Sequence, residues 1–242
     1  MSAPEEWTAA ERSRANLAAM ALAAELGRTP RALTDADRET LRAYSGWGGL
    51  SLRKLAPRFP EGVPLPDDRQ LIHDYYTPQI VCDAVARAVA PILAALAGVD
   101  GTVRALEPSA GIGRFISSFA AHATKRPAIR WQAVEYSKLS ATLLQTLFPE
   151  LPTFVGPFER WVADNDDERF DLVVANPPYG ERGPAKTEDP DRSYRGPVDN
   201  AYAYFLRRTL DLLAPNGLGV PTRSPTSPCR SARASLPPGA TG

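Results

Sequence analysis

Two rhythms of apolar and polar positions take turns along the middle of this chain. "PQIVCDAVARAVAPILAAL" (78–96) repeats its apolar positions at helical spacing, and "TVRALEP" (102–108) follows as a short run with strand character. The alternation then continues: helix "RFISSFAAHA" (114–123), strand "IRWQAVE" (129–135), helix "KLSATLLQTLF" (138–148), short strand "PTFVGP" (152–157), strand "FDLVVANPP" (170–178), helix "AYAYFLRRTLDLLA" (201–214), and "GLGV" (217–220) as the start of another strand. Strands and helices in strict alternation predict an α/β domain: a parallel sheet with helices on both faces and a ligand crevice beyond the carboxyl ends of its strands.

The flanks follow other patterns. "EEWTAAERSRANLAAMALAAEL" (5–26) is rich in helix-forming residues, and Gly27 is its expected stop. A second helix is expected over "TDADRETLRAY" (34–44), with Thr34 as N-cap and acids in its first turn. "SGWGGLS" (45–51) reads as a glycine-rich loop pinned by a buried Trp47, and "APRFPEGVPLPDDRQ" (56–70) as a proline-dense linker. The segment 221–242 has Pro, Ser and Arg without hydrophobic periodicity, which predicts disorder. The expected organisation is an N-terminal helical region with its linker at 1–65, an α/β domain at 66–220, and a disordered tail at 221–242.

Composition narrows the chemistry. Of 242 residues 43% are hydrophobic, enough for a core, and Arg87 and Pro91 interrupt the one long apolar stretch, so no membrane span is expected. The two cysteines, Cys82 and Cys229, make no disulfide framework, and with only two histidines no metal site is expected. The acidic N-terminus lacks the order of a secretory signal, which points to the cytoplasm. Basic and acidic residues balance at 28 each, so no global positive field advertises nucleic acid, although a catalytic domain can take its affinity from a separate recognition domain.

The chemistry-bearing residues stand at strand ends. The first strand runs into "LEPSAGIGRF", with Glu107 at its tip, Gly111 and Gly113 in the turn, and a helix start behind them. A dinucleotide fingerprint would need a third glycine where Ile116 stands. Glu135 closes the second strand about twenty residues later, the distance at which a carboxylate meets a ribose diol. The fourth strand ends in "ANPPYG": Pro177 and Pro178 lack N–H groups and fix their own φ, so the chain leaves the sheet stiffly with Asn176 and Tyr179 at the exit.

"YYTP" (75–78), "LEPSAGIGRF", "VEYS" and "ANPPYG", in that order, resemble the motif series of S-adenosylmethionine-dependent amino-methyltransferases of the adenine-N6 DNA class. The resemblance covers about residues 75–220. "LRAYSGWGGLS" further resembles the leader of large phage and mobile-element methyltransferases, often fused to helicase-like regions. The family implies a Rossmann-like methyltransferase fold, here C-terminally incomplete and with an N-terminal helical extension. It implies that Tyr76, Thr77 and Pro78 lie against the methionine part of the cofactor, that Glu107 beside Pro108 holds its amino group, that Ala110, Gly111 and Gly113 wrap it by backbone, and that Glu135 binds both ribose hydroxyls. Phe158 is expected to flank the adenine ring, with Pro157 where family members often carry Asp. Asn176, Pro177, Pro178 and Tyr179 are the implied catalytic residues: acceptors on Asn176 and Pro177 take N6–H bonds from a flipped adenine stacked on Tyr179.

The implied partners are DNA and a specificity or helicase module outside this chain. Competing expectations are a protein glutamine or RNA amino-methyltransferase, and an inactive truncated fragment or binding module, with a shifted reading frame or a truncated gene as one source of residues 221–242. Arg207 and Arg208 are expected on a solvated helix face, and "GERGPAKTEDPDRSYRGPVDNAY" (180–202) as a mobile loop beside the pocket, with Lys186, Arg192 and Arg195 offering phosphate contacts offset by Glu188, Asp189 and Asp191.

Overall fold

A computed structural model describes residues 7–51, 56–60, 65–66, 74–123, 127–195 and 200–222. The expected linker and tail fall largely outside the described residues, the tail from residue 223 onward.

A five-stranded, fully parallel sheet in the order β3-β2-β1-β4-β5 organises the chain. Its strands are β1 (Thr102–Glu107), β2 (Ala128–Glu135), β3 (Thr153–Val155), β4 (Phe170–Ala175) and β5 (Leu213–Pro221). Parallel strands need helical crossovers, and the alternating pattern supplies them. Before the sheet come α1 (Ala9–Arg28), α2 (Asp35–Arg42), α3 (Gln79–Val89) and the single turn α4 (Leu93–Leu96). Within it come α5 (Arg114–His122), α6 (Lys138–Leu147), α7 (Phe158–Asn165) and α8 (Ala201–Asp211).

Side chains of a strand point alternately to the two faces, and both faces are covered. Val103, Ala105, Leu172 and Val174 pack with Cys82, Ala86 and Val89 of α3 and Phe115 and Phe119 of α5. Leu106, Val134 and Val173 point the other way, into Trp161 and Val162 of α7 and Tyr204 and Phe205 of α8. Cys82 fills space in the core, as read from its apolar surroundings.

Several boundaries differ from expectation for identifiable reasons. Pro91 divides the long apolar stretch, so α3 ends at Val89 and a 3₁₀ turn precedes α4. The window Gln79–Leu96 has a mean hydropathy of 1.6, enough by length and composition to cross a membrane, yet it bends at this proline and packs Cys82, Ala86, Val89 and Leu93 on the sheet. Gly27 does not stop α1, which continues to Arg28, and the helix starts at Ala9 behind a capping box of Thr8 and Glu11. Helix α7 was not expected. Its Phe158, Trp161 and Val162 recur at i, i+3 and i+4, a spacing legible in "PFERWV" that its eight-residue length obscured. Helix α8 ends at Asp211, short of the expected Ala214, because Leu213 already pairs with Phe170. Pro221 still pairs with Ala175, and the Thr222 N–H donates to the Ala175 carbonyl, so order extends two residues into the expected tail.

The N-terminal helices share a core with the rest. Ala19, Met20, Ala23 and Leu26 of α1, Leu41 of α2, Tyr44 and a fully buried Trp47 pack with Leu143 and Leu147 of α6 and with Ile112. Trp47 is the buried anchor expected of its loop, and its ring lies 5.1 Å from that of Phe59.

Candidate functional site

The strand order reverses direction at β1, which has β2 on one side and β4 on the other. An open parallel sheet binds ligands at such a switch point, beyond the carboxyl ends of the strands. Here those ends are Glu107 of β1, Glu135 of β2 and Asn176 behind β4.

The turn after β1 is shaped by Gly111 (φ 57°) and Gly113 (φ 77°), both in the left-handed region. A Cβ on Gly111 would stand 2.5 Å from the Tyr76 ring, and one on Gly113 would stand 2.7 Å from Leu144. The Ala110 N–H donates to the Val134 carbonyl (3.0 Å), fastening the turn to the end of β2. The Gly111 N–H donates to Glu135 Oε2 (2.6 Å), and the Ser137 N–H to Glu135 Oε1 (2.7 Å).

Both carboxyls are buried. Burial holds Glu107 well above the usual carboxylate range, the Glu135 charge adds to that, and only the Ile116 N–H opposes it. Glu107 Oε2 has no hydrogen-bond partner among the described residues. Burial likewise pushes Glu135 up to about 7, against the Ser137 and Gly111 N–H groups that favour its ionised form. A buried acceptor without a donor costs stability unless a ligand supplies one.

The Asn-Pro corner joins this turn directly. Ser109 Oγ, in the glycine turn, donates to the Asn176 carbonyl (3.0 Å). Tyr179 OH donates to Asn176 Oδ1 (3.2 Å), and the Tyr179 ring lies parallel to that of Tyr202, at 7° and 5.9 Å between centroids. Pro177 is buried, Pro178 exposed. Two loops 67 residues apart in sequence therefore meet.

Tyr76 closes the other side. Its hydroxyl donates to Ser140 Oγ (2.6 Å), and its ring faces Gly111. The Thr77 carbonyl accepts from Arg114 Nη1 (2.7 Å), and Pro78 precedes α3 as its N-cap. Phe158 is not brought to the crevice surface: it is 2% exposed and packed among Trp161, Tyr204 and Phe205. Ser109 lies inside "LEPSAGIGRF", but nothing in the sequence pairs it with Asn176. Tyr136, 63% exposed directly after Glu135, also went unassigned; an aromatic residue left in solvent beside a buried acid is the signal that marks it.

The segment 180–195 differs from the mobile loop expected. Asp189 is fully buried; it accepts from Arg208 Nε (2.9 Å) and from Tyr204 OH (2.7 Å) and forms an ion pair with Arg208. Arg182 Nε donates to buried Glu159 (3.0 Å), and the Arg182 guanidinium lies 3.6 Å from the Tyr204 ring centroid. Arg208 thus faces inward on α8 and only Arg207 is exposed; Asp189 does not offset phosphate contacts at the surface, because its charge is used inside. Arg195 Nε donates to the Asp189 carbonyl (2.6 Å), and Arg192 is exposed.

Comparison with known proteins fits this geometry. Residues 122–220 match the model of the Eco57I restriction-modification methylase family. The chain is also 31% identical over 185 residues to the Defense against restriction protein B of Escherichia phage P1, a match that takes in 76% of this chain and spans only 7% of that protein's length. The fold is shared with a protein of Listeria monocytogenes described as a class I S-adenosylmethionine-dependent methyltransferase, which superposes with a TM-score of 0.53 at 13% identity, covering 87% of this chain and 72% of the other. A modification subunit of a type I restriction enzyme from Vibrio vulnificus YJ016 superposes with a TM-score of 0.47 at 17% identity, covering 79% and 38% respectively.

Proposed function

We propose that this α/β sheet region binds S-adenosylmethionine in the crevice between β1, β2 and β4 and directs its methyl group to the N6 amine of an adenine flipped out of DNA. The observation that carries this reading is the contact between the glycine turn and the Asn-Pro corner through Ser109 and Asn176. It sets side by side the two loops to which this reading gives the cofactor and the amine.

The residues present fit the cofactor. The unpartnered Glu107 Oε2 suits an ammonium group, Glu135 suits a ribose diol, and the Gly111 turn offers backbone where a Cβ would collide. Tyr136 offers an exposed ring for the purine, a role that the buried Phe158 is poorly placed to fill. Bound there, S-adenosylmethionine supplies an electrophilic methyl on a sulfonium.

The chain's own task is to prepare the nucleophile. The exocyclic amine of adenine is a weak nucleophile because its lone pair is delocalised into the ring. Asn176 Oδ1 and the Pro177 carbonyl, accepting its two N–H bonds, favour a pyramidal nitrogen with a localised lone pair. The prolines fix those acceptors in advance, so little reorganisation is needed. In the free protein Tyr179 OH occupies Asn176 Oδ1, and the arriving amine replaces that hydroxyl as donor. The Tyr179 ring then stacks on the base, which must leave its duplex to reach the site.

Transfer of a radiolabelled methyl group to duplex DNA, RNA and a release-factor peptide tests the reading. Label in DNA alone, at the adenine N6, is expected. Asn176→Ala should lower the rate by about a hundredfold or more, the scale of losing one preorganised polar contact, while cofactor affinity stays within about threefold. Label in RNA or peptide alone would replace the DNA assignment.

A further inference from the structure

The segment that brings Tyr76 to the glycine turn, 74–78, is neither helix nor strand, so its position depends on what holds it. What holds it comes from residues 44–48, which follow the N-terminal helices, and from Arg114 of α5. Asp74 Oδ2 accepts from the Trp47 N–H (3.0 Å) and from Tyr44 OH (3.3 Å), and the Asp74 carbonyl accepts from the Gly48 N–H (3.0 Å). Gly46 adopts φ 79°, and a Cβ there would stand 2.2 Å from the Asp74 carbonyl oxygen and 2.9 Å from the Tyr76 ring. Arg114 spans both sides: Nη2 donates to the Tyr44 carbonyl (3.1 Å) and Nη1 to the Thr77 carbonyl (2.7 Å), with the guanidinium 5.5 Å from the Tyr76 ring centroid.

The glycine loop is itself fixed from α1. Arg12 Nη2 donates to the carbonyls of Gly46 and Gly48 (3.1 Å each), and its Nε donates to Ser45 Oγ (3.3 Å). Fully buried Asn16 donates to the Gly46 carbonyl (2.7 Å) and accepts from the Ser45 N–H (2.8 Å). A continuous chain of contacts thus runs from α1 through the loop 45–49 to Asp74 and Tyr76, then to Gly111 and, through its N–H, to Glu135.

Resting on the cofactor reading above, we infer that Arg12 and Asn16 are positioning residues for S-adenosylmethionine, acting through the Ser45–Gly49 loop on the segment that faces the methionine part of the cofactor. Without the brace, segment 74–78 must be ordered at the moment of binding, and that ordering subtracts from affinity. The loss should fall on the amino-acid end of the ligand, because the brace ends at Tyr76 and the glycine turn.

Calorimetric titration of the whole chain with S-adenosylmethionine and with 5′-methylthioadenosine, which keeps the adenosine and lacks the amino acid, tests this. Arg12→Ala should weaken S-adenosylmethionine binding by about tenfold and leave methylthioadenosine within about twofold, a size typical of mutations along a packed contact chain. Gly46→Ala, which strains the same loop from the opposite side, should do the same. Thr8→Ala uncaps α1 without touching the loop, and should leave S-adenosylmethionine affinity within about twofold despite a lower Tm. The inference is overturned if Arg12→Ala and Gly46→Ala bind S-adenosylmethionine like wild type, if both ligands weaken by one factor, or if Thr8→Ala reproduces the loss. Wild type that fails to bind S-adenosylmethionine would overturn the cofactor reading itself and this inference with it.

Discussion

Two sets of buried carboxylates stand in this molecule, and the chain treats them in opposite ways. Asp189 and Glu159, behind the Asn-Pro corner, each meet an arginine: Arg208 and Arg182, both almost fully buried as well. Glu107 and Glu135, at the ends of β1 and β2, have no basic partner among the groups that set their protonation. Isolated charges cost far more to bury than paired ones. The paired set is a finished piece of scaffold that holds the loop after the corner in place. In the unpaired set burial favours the neutral acids, and in the function proposed above a ligand supplies the positive charge and donors that the chain does not.

The largest effect should come from breaking the paired set. Arg208→Met leaves Asp189 buried without its cation and should cost about 3–5 kcal/mol in urea unfolding. Glu135→Ala comes next. It should weaken S-adenosylmethionine binding by about thirtyfold in calorimetry, or ~2 kcal/mol, the scale of hydrogen bonds to a charged group.

The pH dependence of the unliganded protein follows the unpaired set. Glu135 is raised to about 7 in the fold, above the 4.5 of a free glutamic acid, and Glu107 is raised too. Over that range the folded state holds more protons than the unfolded one, so this contribution to stability is complete below pH ~4.5 and is lost as pH rises through about 7. Tm should therefore fall between pH 5 and 7.5 in scanning calorimetry. The smallest change should be Glu107→Gln, which removes the ionisable group and keeps the shape: unliganded stability at pH 7 within about 1 kcal/mol of wild type, or higher, with a flatter Tm profile against pH. A large loss there would erase the distinction between the two sets.

Much of this was legible in the chain. Short apolar runs alternating with helical periodicity give the sheet and its helices, and the glycine and proline turns mark the strand ends proposed to bear chemistry. What the sequence hid was pairing across long separations. Asp189 and Arg208 look like surface residues because "TEDPDRSYR" and "FLRRTL" are full of charges, and only tertiary packing selects which of them turn inward. Arg12 and Asn16 look like the polar side of an Ala-rich helix, yet both serve carbonyls of a loop 30 or more residues away. Helix α7 was missed because eight residues give too few turns for a clear period.

The central claim is that loops after β1, β2 and β4 form one cofactor-dependent site, and calorimetric titration of S-adenosylmethionine at pH 6.5, in two buffers of different ionisation heat, tests it most directly. Saturable binding with proton release is predicted, because the ligand stabilises carboxylates that the free protein holds partly protonated, and both the affinity and the released proton should diminish in Glu107→Gln and Glu135→Gln. Absence of binding, or binding that neither substitution weakens, would contradict the account.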